Sequence, residues 1–465
     1  MNKTDARNLR IAYVGGGSRA WAWTFMTDLA IEPELSGEIR LYDIDKKASE
    51  NNEKIGSLLS ADPEAKGLWS YKSSETLEDA LDGADFVIIS ILPGTFDEMQ
   101  SDVHLPERLG IYQSVGDTAG PGGIIRALRT IPMFEDIAKA IKKCAPDAWV
   151  INYTNPMSLC CRVLYEVFPK IKAFGCCHEV FGTQKLLAGI AEEEFKEGPV
   201  DWHDIHVNVL GLNHFTWFTS ASWKSFDLFP AYAKYAEERA QTGYSQGGEE
   251  LPNTRFHCVN KVKFDLFRQY GWIAAAGDRH LAEFMPGERY LKDPECVAQW
   301  GFHLTDVDWR KKDLQDRLAR SEALVSGKEK IKLKSSGEEG ILLIKALSGL
   351  GRVISNVNLP NTGHQICGVP QNTIVETNAV FSLNSIKPVS SGRFTKEIAA
   401  LMKPHIENQQ IVLGAALMRD RNLVYEAFEQ DPLVAGRCSE EESCQLVDDM
   451  IANTLNYLPK EWSKA

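Results

Sequence analysis

Positive charge is scarce in this chain. Its 465 residues hold 51 lysines and arginines against 64 aspartates and glutamates, a formal net charge of −13. That balance argues against nucleic acid and anionic membranes as main partners. It says little about a small substrate, because a site can be locally basic on an acidic protein. The chain also lacks a long apolar span, and no signal peptide precedes its first apolar run. Its ten cysteines show no CxxC or zinc-knuckle spacing; Cys160-Cys161 and Cys176-Cys177 are adjacent pairs instead. A disulfide scaffold is thereby excluded, and a reducing, cytoplasmic setting with free thiols is expected. Internal repeats, low-complexity segments and long linkers are missing too. A hydrophobic content of 44 % and a charged content of 25 % are ordinary for a globular protein, and the length suggests two domains.

What is present begins with Ile11-Ala-Tyr-Val-Gly-Gly-Gly-Ser-Arg-Ala20. An apolar run leads into Gly15-x-Gly17-x-x-Ala20. Gly15 permits a tight turn, Gly17 lets main-chain N–H groups approach a pyrophosphate, and a small residue at 20 lets the next helix pack on its strand. Gly16 and Ser18 complete the turn at a helix N-terminus, which favours an anion. The next apolar run, Ile39–Tyr42, ends at Asp43, 23 positions after Ala20, where a carboxylate would take ribose hydroxyls. The spacing predicts a dinucleotide site.

The first part of the chain alternates apolar runs with helical stretches, the α/β pattern. Strands are predicted at Arg10–Val14, Ile39–Tyr42, Phe86–Ile91, Trp149–Asn152 and Ala173–Cys176. Helices are predicted at Ala22–Ala30, Asp45–Ser60, Leu77–Leu81, Ile124–Cys144 and Ser158–Phe168. The strand runs are continuously apolar, as expected where helices cover both faces. Beyond about residue 200 the pattern becomes mixed. A strand is expected at His206–Leu212, helices at 229–241 and 307–325, and a loop or lid at Gly243–Gly248. A turn-rich stretch at 358–372 lies between probable strands, and long helices follow at 393–429 and 439–456. The division is therefore a dinucleotide-binding domain over 1–200 and an α+β domain over 201–465, with a site in the crevice between them.

Four clusters follow predicted strands. In Ile151-Asn-Tyr-Thr-Asn-Pro-Met157, Asn152 and Asn155 either bind a sugar or hydroxy-acid oxygen or cap the next helix. In Phe174-Gly-Cys-Cys-His-Glu-Val180, adjacent strand residues point to opposite faces, so at most one of Cys176 and Cys177 faces a cleft. In Val209-Leu-Gly-Leu-Asn-His-Phe215, His214 ends a strand. It is either a hydrogen-bonded histidine beside aromatics or, with Cys177, half of a metal site that leaves positions for substrate oxygens. In Ala274–Phe284, Asp278, Arg279, His280 and Glu283 are either capping and surface groups or a general base with an anion clamp. A second Gly-rich stretch, Gly116–Arg126, lacks the Lys-Ser/Thr of a P-loop. Arg126 and Arg129 follow it, facing an anion or decorating the helix.

In this order, the clusters resemble the NAD-dependent family 4 glycoside hydrolases along nearly the whole chain. The resemblance rests on Gly15–Ser18, Gly120-Pro-Gly-Gly123 with Leu128-Arg-Thr-Ile-Pro132, Asn155-Pro156, Cys177-His-Glu-Val180, Gly211-Leu-Asn-His214, Gly277-Asp278 and Glu283-Phe284. The Cys-His-Glu-Val form looks most like the branch acting on α-galacturonides. The resemblance implies a Rossmann-like domain joined to one like that of lactate/malate dehydrogenases. It implies NAD and a divalent metal, usually manganese, the metal held by Cys177 and His214. It implies hydrolysis of α-glycosides through transient oxidation at C3, proton removal at C2, elimination, water addition and return of the hydride, with no net redox. Asp278 occupies the region of the base, and an acid is expected near His178. Arg126, Arg279 and Asn155 are the candidates for a uronate carboxylate. Family members usually self-associate, so a homodimer or homotetramer is expected. The same features suit α-glucosides, α-galactosides or α-glucuronides as substrates. A 2-hydroxy-acid dehydrogenase is the competing activity and needs no Cys/His pair; a non-catalytic NAD-sensing regulator would need a DNA-binding module of which there is no sign.

Overall fold

Strand β1 (Leu9–Val14) is apolar and buried except at Arg10, because two layers cover it. Ile11 and Tyr13 face one core with Met26 and Leu29 of the helix Trp21–Ile31. Ala12 and Val14 face another, with Ile124 and Leu128 of the helix Gly120–Cys144. The computed structural model describes residues 6–245 and 255–464. Parallel to β1 run β2 (Ser36–Tyr42), β3 (Leu68–Ser73), β4 (Phe86–Ile89), β5 (Trp149–Asn152) and β6 (Lys172–Gly175), in the order β3-β2-β1-β4-β5-β6. This is the doubly wound Rossmann arrangement, with its topological switch point between β1 and β4. Val87 and Ile89 of β4 share the core of Ala12, and Phe86 and Ile88 share that of Ile11.

The sheet does not stop at β6. Gly175 pairs antiparallel with Asn358 of a strand from the far end of the chain. The later strands are β7 (Ile205–Leu212), β8 (Phe215–Trp223), β9 (Phe226–Asp227), β10 (Ile273–Ala274), β11 (Val353–Pro360), β12 (Ile374–Ser382) and β13 (Ser385–Pro388). They continue the sheet from β6 as β11-β12-β7-β8-β10, with β13 on β12 and β9 on β8. Every pairing beyond β6 is antiparallel. The fold is α/β, a Rossmann-like unit extended by an α+β region. The α+β region also returns to the first unit: Met402 and Val412 of the helix Lys396–Met418 lie in the core of Ile124 and Leu128.

The departures from expectation have local causes. Strand β3 is an edge strand that buries only Trp69 and Tyr71 while Leu68, Ser70 and Lys72 are exposed, so it offers no apolar run. The helix predicted from Ile124 begins at Gly120, with Pro121 in the first turn and the Gly120 N–H donating to Asp431 Oδ2 at 3.1 Å. The long helix predicted over 393–429 is two, Lys396–Met418 and Arg421–Gln430. Between them Arg419 takes φ +61°, and the Asp420 side chain accepts from the Asn422 N–H. Of the loop expected at Gly243–Gly248, residues 246–248 lie outside the described residues.

Candidate active site

The Gly15–Ser18 turn lies at the switch point. Gly15 has φ +89°, and a Cβ there would lie 2.0 Å from the Ser90 carbonyl oxygen. The Gly15 and Gly16 N–H groups donate to the Tyr42 carbonyl. Asp43 Oδ2 accepts from the Gly17 N–H at 2.9 Å, which holds the carboxylate beside the turn. Ser18 Oγ accepts from the Trp21 N–H at the start of the helix Trp21–Ile31. Trp21 in turn lies against His178, with ring centroids 5.6 Å apart, so the turn opens toward the Cys-His-Glu-Val segment.

Asp117 and Thr118 sit on a loop clamped from three sides. Glu283 Oε1 accepts from the Val115 and Gly116 N–H groups at 2.7 and 2.9 Å. Arg279 donates to the Ser114 carbonyl, and Thr305 Oγ1 donates to the same carbonyl at 2.9 Å. Gly122 and Gly123 supply the third side, because a Cβ on either would strike the main chain of Gly116 or Thr118. The second Gly-rich stretch is therefore a seat for this loop.

His214 lies in the two-residue turn between β7 and β8 with φ +39°. Thr118 Oγ1 donates to Asp117 Oδ1 at 2.7 Å and lies 3.1 Å from His214 Nδ1. A hydroxyl has one proton, and Asp117 takes it, so His214 Nδ1 carries the hydrogen and Nε2 presents a lone pair. Burial first, then the neighbouring His280, hold the His214 imidazole down at about 3, so it is neutral. Cys177 is buried with Met157, Cys161 and Ile374, while Cys176 belongs to the opposite core, as alternation requires. A network joins the Cys177 main chain to Asn213, the residue before His214: Asn213 donates to Glu376 Oε2, and Asn356 donates to Glu376 Oε1 and to the Cys177 carbonyl. Burial pushes the Glu376 carboxyl up to about 7. A soft thiol and a neutral imidazole oriented by a hydroxyl suit a divalent metal. Among the described residues no group of three or more His, Cys, Asp or Glu side chains is placed to hold a metal ion, so the pair stands without a third protein ligand.

The base expected at Asp278 is not aimed into this group. Its fully buried carboxylate accepts from the Val262 and Lys263 N–H groups, in the first turn of the helix Lys261–Tyr270. His280 enters instead. Its ring lies 3.9 Å from that of His214 and its Nε2 is 3.5 Å from Glu179 Oε1, while its buried Nδ1 has no partner. Burial would lower His280, but Glu179 outweighs it and raises the imidazole. Burial would raise Asp117, yet Arg126, His214 and His280 together hold its carboxyl at about 2. Asn155 reaches Asp117 Oδ2 at 3.4 Å, and its buried Oδ1 has no partner. Asn152 is spent on a turn with Thr154. Arg126 donates to the Asn155 carbonyl. Nε and Nη2 of Arg279 are committed to His303 O, Ser114 O and Thr305 Oγ1, which leaves Nη1 alone for an anion. His178 stands exposed at the rim, between Glu338 at 3.7 Å and Glu179 at 3.9 Å.

The structure thus brings Arg126, Asn155 and His214 together, ties the Cys177 main chain to Asn213 beside His214, and sets His178 at their edge. Asp117, Glu179 and His280 are the additions. The signals for them were present: Asp117 inside the Gly-rich stretch, Glu179 inside Cys-His-Glu-Val, and His280 two residues after Asp278.

A glycine turn at the switch point of a doubly wound parallel sheet defines a Rossmann-like α/β protein. Residues 10–193 match the family 4 glycosyl hydrolase model and residues 209–434 match that family's C-terminal domain, so the chain belongs to family 4 of the glycosyl hydrolases. It is 62 % identical over 462 residues to an alpha-galacturonidase of Lachnoclostridium phytofermentans, covering 99 % of each chain. The crystal structure of a Bacillus subtilis protein, lplD, described as a glucosidase, superposes with TM-score 0.91 at 50 % identity, over 96 % of this chain and all of that one. A 6-phospho-beta glucosidase of Thermotoga maritima, solved with manganese, NAD+ and glucose-6-phosphate, has the same fold, with TM-score 0.75 at 21 % identity over 97 % and 99 % of the two chains.

Proposed function

We propose that this chain hydrolyses α-galacturonides, with NAD and a divalent metal, manganese, as its cofactors. The full-length likeness to the Lachnoclostridium enzyme carries the reading. Gly15, Gly16, Gly17, Ser18 and Asp43 would hold NAD at the switch point, and Cys177 and His214 would hold the metal. Bound there, the two supply a reversible hydride acceptor at C3 of the sugar and a Lewis acid for its C2 and C3 oxygens.

The remaining work falls to side chains already in place. His280 Nδ1 takes the C2 proton, and the carboxylate of Glu179 stabilises the imidazolium that forms. This assigns the base to His280 rather than Asp278. Asp117 fixes the Thr118 hydroxyl and, through it, the tautomer of His214. Asn155 offers its free Oδ1 to a sugar hydroxyl. His178 at the rim, flanked by two carboxylates, returns a proton to the departing glycosidic oxygen. Among the described residues no helix is long and apolar enough to cross a membrane. A cytoplasmic enzyme that assembles as a homodimer or homotetramer fits the free thiols and the family, with the domain division near residue 200.

The test is a panel of α-galacturonides, α-glucuronides, α-galactosides and α-glucosides, given NAD, Mn2+ and a thiol reductant. The galacturonide is expected to be cleaved fastest, in a reaction that stops with EDTA and shows no steady NADH accumulation. Preference for another sugar overturns the substrate, and stoichiometric consumption of NAD overturns the hydrolysis.

A further inference from the structure

A galacturonide differs from a galactoside in one group, the carboxylate at C6, so a site selective for it needs a cation with donors to spare. Arg279 has only Nη1 left over, because its Nε and Nη2 are spent on His303 O, Ser114 O and Thr305 Oγ1. Arg126 is buried, with its Nε donating to the Asn155 carbonyl and its charge set against Asp117. Arg310 is different. It stands at the end of the first turn of the helix Val307–Val325, half-buried, and its guanidinium makes no hydrogen bond or ion pair among the described residues. Its contact is the face of Phe256, 5.4 Å from the ring centroid, and Arg279 lies over the same ring at 5.3 Å.

That placement is unfavourable for a structural arginine. A cation near a helix N-terminus opposes the helix dipole. Partial burial disfavours its charge, and the acidic group that offsets this most is Asp117, in the active site. Asp313, one turn along the same helix, is already paired with Arg317 at 2.7 Å. The helix is nonetheless firmly held. Asp306 caps it by accepting from the Trp309 N–H at 2.9 Å, and Val307 packs on Met99 and Val103. The hydroxyl of Thr305, just ahead of it, shares its one proton between Ser114 O at 2.9 Å and Val115 O at 3.2 Å, on the loop that carries Asp117. Arg310 thus follows by five residues a threonine anchored on the loop that carries Asp117.

Asp117 is the acidic group that most favours the charge of Arg310, and Arg126 is the cation that most lowers the carboxyl of Asp117. We propose that Arg310 binds the C6 carboxylate of the substrate and is the residue that selects galacturonides over neutral galactosides. The proposal rests on the function assigned above. The planar fork of arginine suits a two-pronged pair with a carboxylate, and stacking on Phe256 holds its plane.

The experiment compares the NAD- and Mn2+-loaded wild type with Arg310→Met and Arg310→Lys. Two quantities are measured: kcat/KM on an α-galacturonide and the matching α-galactoside, and binding of D-galacturonate against D-galactose by calorimetry. Loss of a partly buried charged partner is expected to lower galacturonide kcat/KM by about 100-fold in Arg310→Met. Most of this loss should appear in KM, and the galactoside should change less than about threefold. Arg310→Lys should recover part of the loss, because it keeps the charge without the fork. Galacturonate binding should weaken in parallel while galactose binding holds. Unchanged galacturonide kinetics, or equal losses on both substrates, overturn the assignment. If the wild type cleaves no galacturonide, the proposed function fails. Arg310 is then judged by galacturonate binding alone: weakened in Arg310→Met it stands, unchanged it falls.

Discussion

Glu283 does two things with one oxygen. It satisfies two buried main-chain N–H groups, and by doing so it fixes the loop that presents Asp117 and Thr118. Its own burial pushes the carboxyl up to about 7 from an ordinary value of 4.5. Between those values the folded protein keeps a proton that the unfolded chain has released. Stability therefore declines as pH rises through that window, and the decline is complete above about 7. Asp431, pushed up to about 6 by burial, acts in the same direction. Glu283→Gln keeps an acceptor oxygen and cannot ionise. Its melting temperature is expected to fall less than that of the wild type between about pH 5 and pH 8. Melting curves across that range check this, and parallel curves for the two proteins would remove Glu283 as the source. The same short segment shows why the side chain that lies beside His214 was not legible in the sequence. Asp278 and His280 both lie on the helix Asp278–Glu283, and two steps along a helix turn a side chain by about 200°. The motif marked the right turn of helix, and only the fold decides which face looks into the cleft.

At the scale of elements, the five parallel strands recognised in advance were legible as short apolar runs, although Arg10 and Arg40 interrupt β1 and β2. The missing one, β3, alternates as edge strands do and resembled ordinary surface. The start of the helix Gly120–Cys144 was hidden for another reason. Three glycines and a proline read as loop, yet they form the first turn, because the loop at 116–118 must lie directly upon it. A Cβ at Gly123 would lie 2.5 Å from the Thr118 carbonyl carbon, and one at Gly122 would lie 2.6 Å from the Gly116 oxygen. Neither contact can be relieved by a side-chain rotation, since both are with main chain. Gly123→Ala is therefore expected to lower stability by about 1–3 kcal/mol, the usual range for overpacking. It should also push Thr118 away from His214, so that kcat on a galacturonide falls at least about tenfold while NAD affinity is unchanged. Wild-type kcat in a folded Gly123→Ala protein would mean that this seat does not position the site.

At the scale of the whole molecule, composition read the layers but not their continuity. The change of pattern near residue 200 marks the end of the parallel strands, but the sheet crosses it. Gly175 of β6 pairs with Asn358 of β11, and the helix Lys396–Met418 returns to cover the helix Gly120–Cys144. Long-range pairing of this kind leaves no trace in local periodicity. It has a thermodynamic consequence. The two candidate metal ligands sit on either side of residue 200 and are joined through Glu376 and Asn356, so neither part retains the site without the other. Unfolding one part would strip the covered face of the helix Gly120–Cys144 and expose the edge of β6, both unfavourable in water. A single cooperative transition is the expected outcome in scanning calorimetry. Anything that binds the folded state alone raises that transition by mass action, by about 2.7 kcal/mol at 100 times its Kd. NAD and Mn2+ should therefore each move the same peak upward, and EDTA should return it. Two resolved peaks, with NAD moving one and Mn2+ the other, would show that the parts unfold independently despite the shared sheet.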